Sequence, residues 1–345
     1  MPSYDLYGHS EQELRRRLSG TLRAVEAGHV ADSHGLTVGE YLDRWLADTV
    51  KPTVRPWTYA GYEVHVRLHL KPTLGRISLE RLSPMHVQEM VSAKVRQGLS
   101  PKSIRYIRGT LRAALNHAMK WDLVSRNAAE DIDTPRVEQF EINPLTPEEA
   151  RAFLAALKGH RLEALYAVAL TMGLRQGEAL GLRWQDVDLK LGYIRINKQL
   201  QRIAGEFHLV EPKTRRSKRT LAMPRPIAEQ LAAHRVRQKD EREHSGERWN
   251  ESDLVFTTEV GRPLDGTVVT HQFHRLLDRA GLPQRRFHDL RHSCATLLLV
   301  QGVSPRVVMD VLGHSQIGLT MNTYAHVIPE MRRDADHRME ELLRD

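Results

Sequence analysis

The chain has 345 residues, 41% hydrophobic and 27% charged, a length that suggests two domains each able to bury a core. No apolar run approaches the ~20 residues of a membrane span, and the N-terminal MPSYDLYGHSEQELRRR lacks the apolar core of a signal peptide. A formal charge of +8 favours a polyanionic partner, most simply nucleic acid, while the single cysteine, Cys294, excludes an internal disulfide and any multi-cysteine zinc cluster.

Residues 1–33 read as a helical segment and linker, with Ser10 and Glu13 as a capping box and Gly28 as the stop. Residues 34–130 read as a helical domain. Its first helix, in TVGEYLDRWLADTV, puts Val38, Tyr41, Leu42 and Trp45 on one face, and Pro52 and Pro56 interrupt it. A second helix runs from Trp57 to Leu70 and stops at Lys71-Pro72. Ser83-Pro84 opens a third, closed by Gly98, and Ser100-Pro101 opens a fourth that reaches Asp122. The fourth carries Lys102, Arg105, Arg108 and Arg112 near one face, which is either a solvated surface or a cationic stripe for DNA phosphates.

Residues 131–145, rich in acids and prolines, read as an interdomain linker. A second domain, 146–330, starts at the N-cap Thr146 with helices over 147–157 and 161–172. Gly173 breaks the pattern just before Arg175. YIRIN and FHLVE alternate like strands, separated by a loop containing Ala204-Gly205-Glu206, and RTLAMP adds a third strand. Helices follow in IAEQLAAHRVRQ and near 267–280, 288–301 and 304–313. Residues 331–345 form a charged amphipathic helix with Met331, Ala335, Met339 and Leu342 on one face. The fold class expected is mainly α with a small antiparallel β-sheet, the second domain being α+β.

The dispersed polar residues of the second domain suggest a chemistry. Arg175, Lys213, His288, Arg291, His314 and Tyr324 supply two arginines, a lysine, two imidazoles and a phenol. A phenol attacking phosphorus needs cations to hold the phosphate and a proton donor for the leaving group. The stretches that carry these residues are MGLRQGEALGLRW, EPKTRRSKRT, FHDLRHSCAT and VLGHSQIGLTMNTYAHV. In this order and spacing they resemble the tyrosine recombinases, specifically the integrases of phages and integrative elements. The region from TVGEYLDRWL to NHAMKWDLVSRNAA resembles the same family more weakly, so the likeness spans about residues 37–330.

The resemblance implies a DNA clamp made of a SAM-like helical core-binding domain and a catalytic domain. Tyr324 would be the nucleophile, forming a 3′-phosphotyrosyl link and releasing a 5′-hydroxyl. Arg175 and Arg291 would hold the phosphate, since a guanidinium fork matches two of its oxygens. The bland reading pairs Arg175 with Glu178, and Arg291 with Asp289 or another acid. Lys213 would be the general acid, with Lys218 as its competitor in register. His288 and His314 would donate to nonbridging oxygens, and either could accept the Tyr324 proton. Glu178 would orient nearby groups, and His292 reads as a packing residue. Arg215, Arg216, Lys218 and Arg219 would contact the DNA backbone.

A metal set of His288, His292 and His314 lacks a helical HExxH and a completing acid, so no metal is expected. No cofactor is expected either. The covalent link conserves the phosphodiester energy, and no glycine-rich nucleotide loop ending in Gly-Lys-Ser/Thr occurs. The implied partners are double-stranded DNA attachment sites, a homotetramer acting through a Holliday junction, and DNA-bending or directionality proteins. The implied location is cytoplasmic, at the nucleoid when DNA is bound. The C-terminal helix would dock on a neighbouring protomer. The family's larger integrases carry a β-rich arm-binding domain, from which the helical reading of residues 1–33 departs. Two other classes share features: a type IB topoisomerase, with similar chemistry but monomeric relaxation, and a DNA-binding protein with an inactive catalytic fold.

Overall fold

The computed structural model describes residues 35–138, 142–212, 214–313, 339–340 and 343–344. The chain divides into two units, Met1–Gln139 and Phe140–Asp345. The helix expected within residues 1–33 and most of that expected over 331–345 lie outside the described residues.

In the first unit Thr37 caps α1 (Val38–Arg44). Its hydroxyl accepts the Glu40 amide, and the Glu40 carboxylate accepts the Thr37 amide. Val38, Tyr41, Leu42 and Trp45 are all buried, as the apolar spacing predicts. The helix does not stop at Pro52: α1 continues through a π-helical turn (Trp45–Val50) into Lys51–Thr53. Nor does the second stop at Lys71-Pro72. α2 (Pro56–His65) continues through a second π-helical turn (Val66–Leu70) into Lys71–Leu74. In both, the residue before the proline donates five residues back, Lys51 to the Leu46 carbonyl and Lys71 to that of Val66. The wider turn accommodates a ring that lacks an amide hydrogen and would crowd the carbonyl four back in a regular α-helix.

Ser83 and Ser100 cap α3 (Pro84–Arg96) and α4 (Pro101–Lys120), each with proline in the first turn. α4 buries Ile104, Ile107, Leu111, Ala114, Leu115 and Ala118 at steps of one, three and four residues. It is pinned to α1 by polar bonds at the ends of buried rings. The Tyr41 hydroxyl donates to the Ala114 carbonyl at 2.6 Å, and the Trp45 indole to His117 Nδ1 at 2.8 Å.

The second unit is built around α6 (Glu163–Thr171), whose residues from Ala164 to Leu170 are all buried. A helix apolar on every side belongs at the centre of a core. It packs against α8 (Arg225–Ser245) and α10 (Phe287–Val300). α5 (Pro147–Ala156) packs against α9 (Gly266–Arg279). Phe153, Tyr166, Phe273 and Phe287 meet with ring centroids 5.5–6.3 Å apart, and the Tyr166 hydroxyl donates to Val269. Residues at the end of the expected linker are fastened to this unit: Arg285 donates to the Asn143 carbonyl, and the Leu145 amide to Ser293.

Among the described residues the β structure is two small antiparallel sheets. One has the order β1 (Val187–Asp188), β2 (Tyr193–Ile196), β5 (Arg219–Ala222), with Ile194 opposite Leu221. The other is a hairpin of β3 (Gln199–Ile203) and β4 (Glu206–Val210). FHLVE therefore pairs with QLQRI, a strand the polar alternation hid, and not with YIRIN. Ala204 and Gly205 both have positive φ, 49° and 91°, which is the two-residue turn whose twist matches a hairpin. Among the described residues, no helix is long and apolar enough to cross a membrane.

Candidate active site

Three segments of the second unit converge on one buried carboxylate. Gly173 ends α6's continuation with φ +61°, and Arg175 is the N-cap of the short helix α7 (Gln176–Leu180). Glu178, in the first turn of α7, accepts the Arg175 amide at 3.1 Å and Arg175 Nη1 at 2.6 Å. Its other oxygen also accepts Arg219 Nη2 from β5 at 2.9 Å. The Glu178 side chain is only 1% exposed. Burial pushes its carboxyl pKa up, but the charges of Arg219, Arg175 and Arg291 outweigh that and hold it below the ordinary value.

Arg291, on α10, lies under this cluster and is 1% exposed. Its Nη1 donates to the Gly173 carbonyl at 2.7 Å, and its Nη2 to the Leu312 carbonyl at the end of α11 (Pro305–Leu312). Arg219 reaches the same helix end, donating from Nε to the Val311 carbonyl at 2.7 Å. Two buried guanidinium groups thus satisfy adjacent orphan carbonyls of one helix terminus, where positive charge is favourable. Gly173 is confined by the same packing. A Cβ there would fall 2.7 Å from Leu312 Cδ2 and 3.2 Å from Cys294 Sγ. Cys294 is buried and its thiol is pushed up to about 12, as expected of a packing residue.

His288 sits in the first turn of α10, on the exposed side, with its ring 4.9 Å from that of His292 and nearly perpendicular to it. Desolvation, then the charges of His292, Arg291, Arg175 and Arg286, push its pKa down to about 4. The imidazole is therefore neutral across the physiological range and able to accept a proton. Desolvation also lowers the pKa of His292. The Asp289 carboxylate, one expected partner of Arg291, is bonded to Arg286, accepting its amide at 2.8 Å and its Nη2 at 2.7 Å.

The structure thus brings together Arg175, Glu178, His288, Arg291 and His292. Lys213, His314 and Tyr324 lie outside the described residues, as does the side chain of Arg215. The chain reaches Gly313, one residue before His314, with Gly313 against the Arg216 carbonyl and the Arg219 side chain. The two arginines expected to act alike differ: the Arg175 side chain is 35% exposed, whereas Arg291 is enclosed and bound to backbone. Lys218 pairs with Glu211 at 2.9 Å, and Arg216 is exposed.

Besides Lys218, other residues expected on the DNA backbone are engaged by the protein itself. Arg219 is only 6% exposed and bound to Glu178, Val311 and Ser217, so its guanidinium faces inward. In the first unit Arg108 donates to the Ala129 and Glu130 carbonyls, and Arg112 pairs with the Glu130 carboxylate at 3.2 Å. Helical spacing put these on one face but could not show which of them the following loop would cover. Lys102 and Arg105 remain exposed. The link from Arg219 to Glu178 was invisible in the sequence, because the two are 41 positions apart and belong to different motifs. The one hint was an acid in an otherwise apolar turn.

Comparison with known proteins places this arrangement. Residues 143–331 match the model of the phage integrase family, and residues 37–95 match the phage integrase N-terminal SAM-like domain. A tyrosine recombinase XerC-like protein of Caldanaerobacter subterraneus subsp. tengcongensis is 31% identical over 357 aligned positions, covering 98% of this chain and 91% of the relative. The integrase of the Tn1549 transposon, solved with a circular-intermediate DNA, superposes with a TM-score of 0.73 at 23% identity, over 88% of this chain and 100% of that one. The lambda integrase, solved as a tetramer on a Holliday junction, superposes with a TM-score of 0.59 at 17% identity, over 90% and 89%. The two superpositions are likenesses of fold.

Proposed function

The chain belongs to the phage integrase family, and from that premise we propose that it is a site-specific DNA recombinase that cuts and rejoins strands through Tyr324. The observation that carries the reading is the cluster around Glu178. It holds a half-open guanidinium, Arg175, with a buried one, Arg291, and the His288 imidazole on the same helix as Arg291.

In this mechanism the Tyr324 oxygen attacks the scissile phosphorus. The new bond is the 3′-phosphotyrosyl link, the broken one is to the 5′-oxygen, and Lys213 protonates that oxygen as it leaves. The phenolic proton passes to His288 or His314. A tyrosine with its usual pKa of ~10 is almost fully protonated at neutral pH, so removal of this proton in step with attack is needed. Arg175 contacts the nonbridging oxygens directly. Arg291 adds its charge from below and keeps Gly173 and the end of α11 in place. Such preorganised cations stabilise the extra negative charge of the transition state without reorganising during the reaction. Rejoining is the reverse step with another strand's 5′-hydroxyl, so the number of phosphodiester links is unchanged and no ATP is required.

The partner is double-stranded DNA, with Lys102, Arg105 and Arg216 as exposed cations for its phosphates. The assembly is a tetramer on two duplexes. Its support is the lambda integrase likeness, a fold seen there as a tetramer on a Holliday junction. Directionality and bending proteins complete the reaction. The protein acts in the cytoplasm, at the nucleoid.

The test is covalent trapping. Wild-type protein and Tyr324→Phe are mixed, with EDTA present, with nicked and supercoiled fragments of the genome that carries the gene. Adducts that survive detergent are sequenced. A wild-type adduct at one sequence, absent with Tyr324→Phe although both proteins shift DNA, is the expected result. Adducts scattered over many sequences would point to a relaxing enzyme. DNA binding with no adduct would overturn the assignment of strand cleavage.

A further inference from the structure

The charges around Glu178 do not balance pairwise. One carboxylate, 1% exposed, lies between two guanidinium groups of very different accessibility. Arg219 is 6% exposed, and its partners among the described residues, the Glu178 carboxylate and the carbonyls of Val311 and Ser217, are all internal. Arg175 is 35% exposed and, among the described residues, bonds to Glu178 through its amide and Nη1. An arginine enclosed in this way cannot reach an external anion, but it can neutralise the carboxylate. With Arg219 present the trio carries a net charge of one positive unit, and that unit lies on the exposed member. Without it, Glu178 and Arg175 would pair more closely, Arg291 being held on the Gly173 and Leu312 carbonyls, and a phosphate would compete with a buried carboxylate for Arg175.

We propose that Arg219 is a positioning residue for strand cleavage: by balancing Glu178 from the buried side, it leaves Arg175 with an uncompensated positive charge and a free edge for the scissile phosphate. The inference rests on Arg175 being a phosphate ligand, as in the function proposed above. It does not follow from the family's motif residues, among which Arg219 was expected to be a surface contact. The bond to Val311 adds a second effect, since the same side chain ties β5 to the end of α11. The charge effect and the tie are separable. In an Arg219→Met protein, replacing Glu178 by glutamine removes the need for a counter-cation but leaves the tie to Val311 broken.

The experiment compares wild type, Arg219→Met, Arg219→Lys and Arg219→Met/Glu178→Gln as full-length proteins. The probe is a nicked duplex bearing the sequence recovered by trapping. Single-turnover adduct formation, gel-shift affinity and thermal melting are measured for each. Arg219→Met is expected to slow adduct formation by about 30-fold or more while affinity changes by less than about threefold, the pattern of an interaction made in the transition state. Arg219→Lys should fall between it and wild type. The double variant should form adduct about tenfold faster than Arg219→Met, because Arg175 is released. A purely structural Arg219 would give a double variant no faster than the single one, and that result overturns the proposal. So does an Arg219→Met rate within threefold of wild type. Should Arg219→Met melt below the assay temperature, Arg219→Lys and Arg219→Lys/Glu178→Gln make the same comparison. Should the trapping experiment recover no wild-type adduct, and hence no probe sequence, the recombinase reading itself is refuted, an outcome distinct from any of these.

Discussion

Gly173→Ala is the sharpest test of how the cluster is held. Gly173 has φ +61°, in the left-handed region, where a Cβ costs about 1–2 kcal/mol. The added carbon would fall 2.7 Å from Leu312 Cδ2, inside any tolerable contact, and 3.2 Å from Cys294 Sγ. Overpacking of a well-filled site costs about 1–3 kcal/mol more. The sum is about 2–5 kcal/mol, which for a unit of this size lowers its melting transition by roughly 4–20 °C. Gly205→Ala is the control. Its φ is +91° and nothing lies within 4 Å of the added Cβ, so only the same backbone cost of about 1–2 kcal/mol applies, roughly 2–8 °C. Calorimetry of both full-length variants measures the difference. In a Leu312→Ala background the Gly173→Ala penalty should shrink by at least about 1 kcal/mol, since the nearer clash is gone. A Gly173→Ala melting point within about 2 °C of Gly205→Ala would refute the close packing of Gly173 under Leu312. The Gly173 carbonyl also anchors Arg291, so adduct formation should fall in the same variant even below its melting temperature.

Arg175→Ala should bind DNA less than about tenfold more weakly while losing most cleavage, because its contact strengthens in the transition state; equal loss of both, in gel shift and adduct assays, would remove it from that role. His288, held down to about 4, should show an NMR titration midpoint near that pH in the free protein, and Arg175→Ala should raise it; a midpoint near 6.5 would mean that the surrounding cations do not act on it. The sign for stability follows. The folded pKa lies below the unfolded value, so the unfolded chain binds more protons between about pH 4 and 6.5, and His288 makes the fold less stable as pH falls through that window, with no contribution to pH dependence above it. In the first unit, Arg105→Ala should reduce the slope of log affinity against log salt by about 0.9, whereas Arg108→Ala should leave the slope unchanged and lower the melting temperature, because Arg108 holds the Ala129 and Glu130 carbonyls. Equal slopes for the two variants would contradict that division.

The sequence alone determined the features that depend on near neighbours in the chain. Thr37, Ser83, Ser100 and Thr146 cap helices because a short oxygen side chain can reach an amide three residues on. Val38, Tyr41, Leu42 and Trp45 are buried because helical spacing puts them on one side. The motif residues from Arg175 to Tyr324 declared the family because several specific fragments occurred in one order. What only the tertiary structure decided was the partner of each group across long separations. FHLVE could have paired with either neighbouring strand, and the Ala204-Gly205 turn selected QLQRI. Pro52 and Pro72 looked like helix stops, and π-helical turns, stabilised by packing of Trp45, Val66 and Leu70, carried the helices past them. Arg175, Arg219 and Arg291 are chemically identical, yet burial made one a half-open cation, one a counter-ion and one a clamp on backbone carbonyls. A guanidinium's role depends on what desolvates it and which acid it meets. Those depend on chain segments tens of residues away, which a local reading of the sequence does not reach.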